Sequence, residues 1–71
     1  MQVNIENLKK LIDDKYRGNN SFFADEAQIN RSYLSQLLNG SISNNSPKIC
    51  NDIIKYCEKN NLDFKKYIFL D

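Results

Sequence analysis

Histidine is absent from the 71 residues, and glycine and proline are scarce, with two residues and one residue respectively. Without an imidazole the chain lacks the commonest general base of catalytic sites and the commonest side-chain metal ligand. Two glycines and a single proline are too few to punctuate a sandwich or barrel of many strands, so the composition favours helices. We therefore expect a helical protein with no catalytic residues and no metal site, and not an enzyme.

The two cysteines, Cys50 and Cys57, lie seven residues apart in one predicted helix. That spacing separates their Cα atoms by about 10 Å, which is too far for a disulfide. No other cysteine is present to form a zinc site, and the N-terminal sequence MQVNIENLKK lacks the apolar stretch of a signal peptide. No apolar run approaches the roughly 20 residues needed to cross a bilayer. These absences predict a reduced, cytoplasmic protein with no membrane segment, no cofactor and no small-molecule ligand.

The chain has little net charge, because ten lysines and arginines stand against nine aspartates and glutamates, a formal charge of +1. Proteins that bind polyanions through bulk charge are strongly basic, so a nucleic acid would have to be held by short-range contacts. The 71 residues have room for one domain, 1–71, which buries only about 60% of its unfolded surface. Oligomerisation can supplement so small a core.

Hydrophobic spacing predicts an all-α, compact five-helix bundle. Apolar residues recur on one stripe of the first and fourth helices, and the third helix has one apolar and one polar side. Asn4, Asn30, Ser46 and Asp63 are residue types that cap helix N-termini, and Pro47 suits a first helical turn. The predicted helices span about residues 5–16, 22–27, 31–38, 47–59 and 64–68, with Ile5, Leu8, Leu11, Ile12, Tyr16, Leu34, Leu37, Leu38, Ile49, Cys50, Ile53, Ile54 and Cys57 directed inward.

The segment FADEAQINRSYLSQLLNG, residues 23–40, is the most informative part of the chain. It begins with a short helix in which the small residues Ala24 and Ala27 let another helix cross closely. A three-residue turn follows, and Ile29 is expected to fill the space beneath it. The next helix has a polar outer side. This order is typical of a helix-turn-helix, here over about residues 20–40.

At these residues the chain resembles the Cro and phage-repressor type of helix-turn-helix domain, also called the XRE family, whose fold is the lambda-repressor-like bundle. Phe23-Ala24 stands where that family usually has Leu-Ala, Ile29-Asn30-Arg31-Ser32-Tyr33-Leu34-Ser35 resembles its V-S-R-S-Y-L-S run, and Asn39-Gly40 resembles its terminal Asn/Arg-Gly. Ser46-Pro47 is similar to its loop-to-helix start, and Leu62-Asp63-Phe64 with Tyr67-Ile68 to its closing helix. The resemblance covers about residues 5–68.

One turn position departs from the family pattern. The family favours glycine there, where φ is positive, and this chain has Gln28. A positive φ at a residue other than glycine costs roughly 1 kcal/mol, so we expect a strained turn.

The resemblance implies a transcriptional regulator that binds double-stranded DNA at a palindromic operator as a homodimer. Arg can pair with guanine, Gln with adenine and Ser with several bases, which suits the polar side of the third helix. The implied base contacts are Arg31, Ser32, Ser35 and Gln36, and the implied phosphate contacts are Asn20, Asn30 and Asn39. Lys48, just inside the fourth helix, is expected either to contact a flanking phosphate or to be a surface lysine with no contact. The apolar end, Tyr67, Ile68, Phe69 and Leu70, is expected either to form the dimer interface or to seal the monomer core.

Other interpretations of the same residues stay open at the level of sequence. The polar side of the third helix could be a solvated surface, and the asparagines at helix ends could serve only as caps. Within residues 20–46 the one basic residue, Arg31, is outnumbered by Asp25 and Glu26, so the local charge is −1. That charge favours a second class of function, a helical protein-interaction module, antitoxin-like or anti-repressor-like, with the same fold and little DNA binding.

Overall fold

The computed structural model describes residues 1–70 and is mainly helical. The elements in chain order are β1 (Gln2–Val3), α1 (Ile5–Tyr16), α2 (Asn20–Ala27), α3 (Arg31–Asn39), α4 (Pro47–Lys59), one turn of 3-10 helix (Phe64–Lys66) and β2 (Ile68–Phe69). The expectation of a helical fold is confirmed. The count of five helices is not, because the described chain contains four α-helices and a two-stranded antiparallel sheet.

Asparagine side chains start the first three helices. The Oδ1 atoms of Asn4, Asn19 and Asn30 accept the backbone N–H groups of Asn7, Phe22 and Tyr33 at 3.2, 3.0 and 3.0 Å. Each bond satisfies a donor that the first turn of a helix would otherwise leave unpaired. The predicted caps of α1 and α3 are confirmed. The second helix begins two residues earlier than predicted, because Asn19 provides its cap.

The fifth helix predicted at residues 64–68 is wrong. Phe64–Lys66 form a single 3-10 turn, which Asp63 caps by accepting the N–H of the second turn residue at 3.0 Å. The chain then extends, and Ile68 pairs with Val3 across the two strands. Both of these β-branched side chains are 1% exposed. Extended pairing is favoured because it buries them while satisfying backbone groups at both ends of the described chain.

A single hydrophobic core joins the four helices and both strands. Its buried members are Val3, Leu8, Leu11, Ile12, Phe23, Ala24, Ala27, Ile29, Leu34, Leu37, Leu38, Ile49, Cys50, Ile53, Tyr56, Cys57 and Ile68. Three residues predicted to point inward, Ile5, Tyr16 and Ile54, are only half-buried at its rim. Sequence spacing missed Tyr56, whose phenol hydroxyl makes it a less obvious core residue than a leucine.

Tyr56 is tolerated in the core because its hydroxyl has a partner. The hydroxyls of Tyr56 and Tyr16 lie 2.5 Å apart in a hydrogen bond that joins α4 to α1. Burial, followed by this hydrogen bond, raises the pKa of Tyr56 well above its ordinary value, so the phenol stays protonated at neutral pH. The ring of Phe23 packs edge-on against Tyr56, with centroids 5.0 Å apart, which fixes α2 to the same cluster.

Both cysteines lie in one helix, α4, as predicted, and are free buried thiols. Burial raises the pKa of Cys57 to about 11 and also raises the pKa of Cys50. Because the thiolate is the reactive form, both side chains act as small apolar core residues at neutral pH.

The turn between α2 and α3 depends on a left-handed residue. Gln28 has φ 57° and ψ 42°, and its N–H closes α2 by donating to the carbonyls of Ala24 and Asp25. Ile29 follows at once, and its side chain is buried beneath the turn. The positive φ predicted at Gln28 is confirmed, and it carries the strain that any residue with a Cβ has in this region.

Replacing Gln28 with glycine is expected to raise the free energy of unfolding by about 0.5 to 1 kcal/mol, because the relief of strain exceeds the added freedom of the unfolded chain. Urea denaturation followed by circular dichroism measures the change. Lys9→Gly, in the exposed interior of α1, is the matched control and is expected to lower stability by about 1 kcal/mol. A Gln28→Gly variant less stable than the wild type would contradict the argument.

Candidate nucleic-acid interface

The outer side of α3 presents all four residues predicted to contact bases. Arg31, Ser32, Ser35 and Gln36 are exposed. Residues three or four apart on a helix are neighbours, with Cβ atoms about 5 to 6 Å apart, so the four side chains form one continuous polar surface. The opposite side is anchored, since Leu34 and Leu37 are at most 1% exposed. Packing of these leucines therefore sets the direction in which the polar surface points.

Arg31, the first residue of α3, is paired with Asp25 of α2. Its Nε donates to Oδ1 of Asp25 at 3.1 Å, and its Nη2 donates to Oδ2 at 2.6 Å. The hydrogen bond from Arg31 lowers the pKa of Asp25, and the same bond raises the pKa of Arg31. Both groups are therefore ionised at neutral pH. The pair joins α2 to α3 across the turn while both side chains stay accessible, at 58% and 63% exposed.

The three asparagines predicted to contact phosphates differ in what their side chains already do. Asn30 caps α3 through its Oδ1, so only its amide nitrogen is left to donate to a phosphate. Asn39, the last residue of α3, accepts the N–H of Ser41 at 2.9 Å. Asn20 is the exposed first residue of α2, whose cap is its neighbour Asn19. The side chain of Asn30 therefore caps a helix and that of Asn39 stabilises a local turn, whereas the side chain of Asn20 does neither.

The fourth predicted phosphate contact, Lys48, lies in the first turn of α4. Its Nζ is 3.4 Å from a carboxylate oxygen of Asp52, one helical turn along α4, where the lysine is exposed and the aspartate is partly buried. The cap residue Ser46 makes no side-chain hydrogen bond to this turn, unlike the asparagines that cap the first three helices. Lys48 and Asn30 also line one groove of about 300 Å³ between the starts of α3 and α4, with Tyr33 in its wall. The fold thus brings two of the predicted phosphate contacts together.

The predicted dimer segment is divided by the fold. Ile68 is buried in the monomer core and Tyr67 packs against it half-buried, so these two side chains help to seal the core, which is one of the two outcomes expected for this segment. Phe69 and Leu70 remain, at 54% and 52% exposed. Ile68 and Phe69 differ because successive side chains of a strand point to opposite sides, and only one side can face the core.

Sequence reasoning missed Asp25 as a partner of Arg31. The two residues are six positions apart and belong to different helices, so the spacing rules for one helix do not connect them. The one signal in the sequence was that an acidic residue, Asp25, and a basic residue, Arg31, stand on opposite sides of a short turn. It became specific only with the turn geometry at Gln28.

No protein-family model, no curated protein and no solved structure matches this chain. In residues 1–70, no helix has the length and apolar character needed to cross a membrane. The same residues hold no group of three His, Cys, Asp or Glu side chains placed to share a metal ion. The function therefore has to be inferred from the geometry of this chain alone.

Asn30→Ala is expected to lower the free energy of unfolding by about 1 kcal/mol, because it removes the cap of α3. Asn20→Ala, at the first residue of α2, is the matched control and is expected to stay within about 0.5 kcal/mol of the wild type. Asn30→Asp keeps an accepting oxygen and is expected to keep most of the stability. Equal losses for Asn30→Ala and Asn20→Ala in urea denaturation would refute the distinction between the two asparagines.

Proposed function

We propose that this protein is a sequence-specific DNA-binding transcriptional regulator of the Cro and repressor type, which reads the major groove with α3. The observation that supports the proposal most is the two-sided character of α3, polar and exposed outside and buried through its leucines inside. A helix presented in this way after a three-residue turn matches the shape and chemistry of a recognition helix.

Four side chains of α3 have the chemistry for reading bases. Arg31 can pair bidentately with guanine O6 and N7, Gln36 with adenine N6 and N7, while Ser32 and Ser35 can donate or accept. All of them lie on one exposed surface, so an α3 lying in the major groove would direct them to neighbouring base pairs.

Phosphate contacts on this interpretation flank the recognition helix. Asn30 and Lys48 line the groove between the starts of α3 and α4, where backbone N–H groups of the first turns also suit an anion. Asn20 and Asn39 lie at the start of α2 and the end of α3. With a formal charge of only +1, the chain would release few counterions from DNA, which implies a shallow dependence of affinity on salt.

Arg31→Ala and Gln36→Ala are each expected to lower affinity for the best site by about 5- to 150-fold and to relax preference at one base pair per half-site. The site is obtained by selecting bound sequences from random DNA, and competition against single-base variants measures the preference. Lys48→Ala is expected to weaken all sites alike and to flatten the salt slope by about one unit, since a phosphate carries no sequence information. Lys9→Ala, at an exposed position of α1, is the control and changes neither quantity.

Two results would contradict these assignments. If Arg31→Ala and Gln36→Ala leave base preference unchanged while the wild type binds tightly, α3 does not read bases directly. If the wild type retards no DNA fragment even at low salt, the DNA-binding function itself is refuted.

We also propose that the protein binds its operator as a two-fold dimer joined at the terminal sheet. In the two-stranded sheet, the edge of β1 that faces away from β2 is hydrogen-bonded to Asn44. No described residue forms a strand beside the edge of β2 that faces away from β1. Phe69 and Leu70 add exposed apolar surface at that edge. A second copy of the same strand would satisfy the edge and bury both side chains.

A variant carrying Phe69→Ser and Leu70→Ser is expected to sediment as a folded monomer at concentrations where the wild type is a dimer. Phe22→Ser removes an equally exposed aromatic side chain, 52% exposed, from α2 and is expected to remain dimeric. The substitutions spare Ile68, so the core stays intact. Dimerisation of the doubly substituted chain as strong as that of the wild type would rule out this interface.

A helical protein-interaction module, antitoxin-like or anti-repressor-like, is the second candidate. Residues 20–46 carry a charge of −1, and Phe22 is an exposed aromatic side chain on α2 whose ring lies 5.5 Å from that of Tyr16. A negative charge beside an exposed aromatic side chain favours binding to another protein over binding to the phosphate backbone of DNA. A partner protein retained in the absence of DNA and lost with Phe22→Ser would favour this candidate.

A further inference from the structure

The contact between Asp25 and Arg31 uses only one edge of the guanidinium. Asp25 accepts one N–H from Nε and one from Nη2, at 3.1 and 2.6 Å. A guanidinium carries five N–H donors, so this contact leaves the two on Nη1 and one on Nη2. No described residue accepts these remaining donors. The edge they form, with donors on two adjacent nitrogens, has the spacing that pairs bidentately with guanine O6 and N7.

The same contact restricts the movement of a long side chain. An unpaired arginine at the exposed start of a helix samples many rotamers, and fixing them on binding costs free energy. Here two parallel hydrogen bonds to one carboxylate set both the position and the plane of the guanidinium before any ligand arrives. The carboxylate is itself held on α2, which Phe23 fixes in the core, and it meets Arg31 across the left-handed turn at Gln28.

Asp25 also has an electrostatic cost for DNA binding. It places a negative charge beside the first residue of α3, and with Glu26 it gives residues 20–46 a charge of −1, which is unfavourable for approach to phosphates. If Asp25 contributes to DNA binding, it therefore contributes to base specificity and not to overall electrostatic attraction.

We infer that Asp25 is a positioning residue that holds Arg31 with its free edge available to a guanine base, so that the base pair read by the start of α3 is G·C. This inference rests on the proposed DNA-binding function and adds to it the identity of one base pair and the residue that enforces it. Asp25 raises discrimination at that base pair and lowers affinity for DNA of any other sequence.

Asp25→Ala is expected to reduce the preference for guanine at the base pair read by Arg31 by about 2- to 12-fold, which corresponds to freeing one long side chain. Affinity for random DNA is expected to rise in the same variant, because a negative charge is lost. Glu26→Ala is the matched control, since it removes the same charge from the next exposed position of α2. It is expected to leave the guanine preference unchanged. Competition binding against the selected site, its single-base variants and random DNA gives both the guanine preference and the affinity for random DNA.

The same substitution in an Arg31→Ala background separates positioning from direct contact. If Asp25 acts through Arg31, Asp25→Ala has no further effect on base preference once Arg31 is gone. A further loss would mean that Asp25 contacts a base itself and would overturn the positioning role. An Asp25→Ala variant that binds every site more tightly with unchanged preference would overturn it as well, while leaving DNA binding by α3 in place.

A measurement without DNA tests the positioning directly. Nitrogen-15 relaxation of the Arg31 Nε–H, measured without DNA, is expected to report a rigid side chain in the wild type and in Glu26→Ala. The same side chain is expected to be mobile in Asp25→Ala. A mobile Nε–H in the wild type would overturn the inference. A wild-type chain that binds no DNA would instead refute the proposed function, and with it any role of Asp25 in reading bases.

Discussion

Burial of the apolar side of α3 is the packing constraint on which the rest of this structure depends. A chain of 71 residues has a single small core, so each enclosed side chain contributes a large share of the hydrophobic stabilisation. Leu34 and Phe23 have no exposed surface, and with them α3 and α2 are held as one unit. Because one side of α3 is fixed inward, its polar side is fixed outward. Stability of the core and presentation of the candidate binding surface therefore have the same cause.

The paired strands β1 and β2 complete the core through the side chains of Val3 and Ile68. Their pairing joins distant parts of the sequence, and Asn44 secures it from the loop before α4 through bonds to both the N–H and the carbonyl of Val3. Pairing places one side chain of β2 in the core and the next, Phe69, outside. The exposure of Phe69 is thus a consequence of the way in which the monomer completes its core.

The near-neutral charge limits how much long-range electrostatic attraction could contribute at the candidate interface. Bulk attraction to a polyanion is small at a formal charge of +1, so affinity would have to come from directed hydrogen bonds. Directed bonds are effective when the donors are held in place beforehand, since less conformational entropy is lost on binding. The ion pair of Arg31 with Asp25, the cap at Asn30 and the buried leucines of α3 each hold part of that surface in one arrangement.

Local signals in the sequence determined most of the helical fold. Asparagine caps, hydrophobic spacing and the Asn39-Gly40 end located α1, α3 and α4 closely and predicted the exposed polar side of α3, because each of these features depends on residues within a few positions of one another. Tertiary structure decided the rest. It converted the predicted fifth helix into a 3-10 turn and a strand, buried Tyr56 against Tyr16, and placed Asp25 on Arg31. Those outcomes join residues from separate elements, whose proximity follows from how the whole chain packs and is encoded in no local spacing.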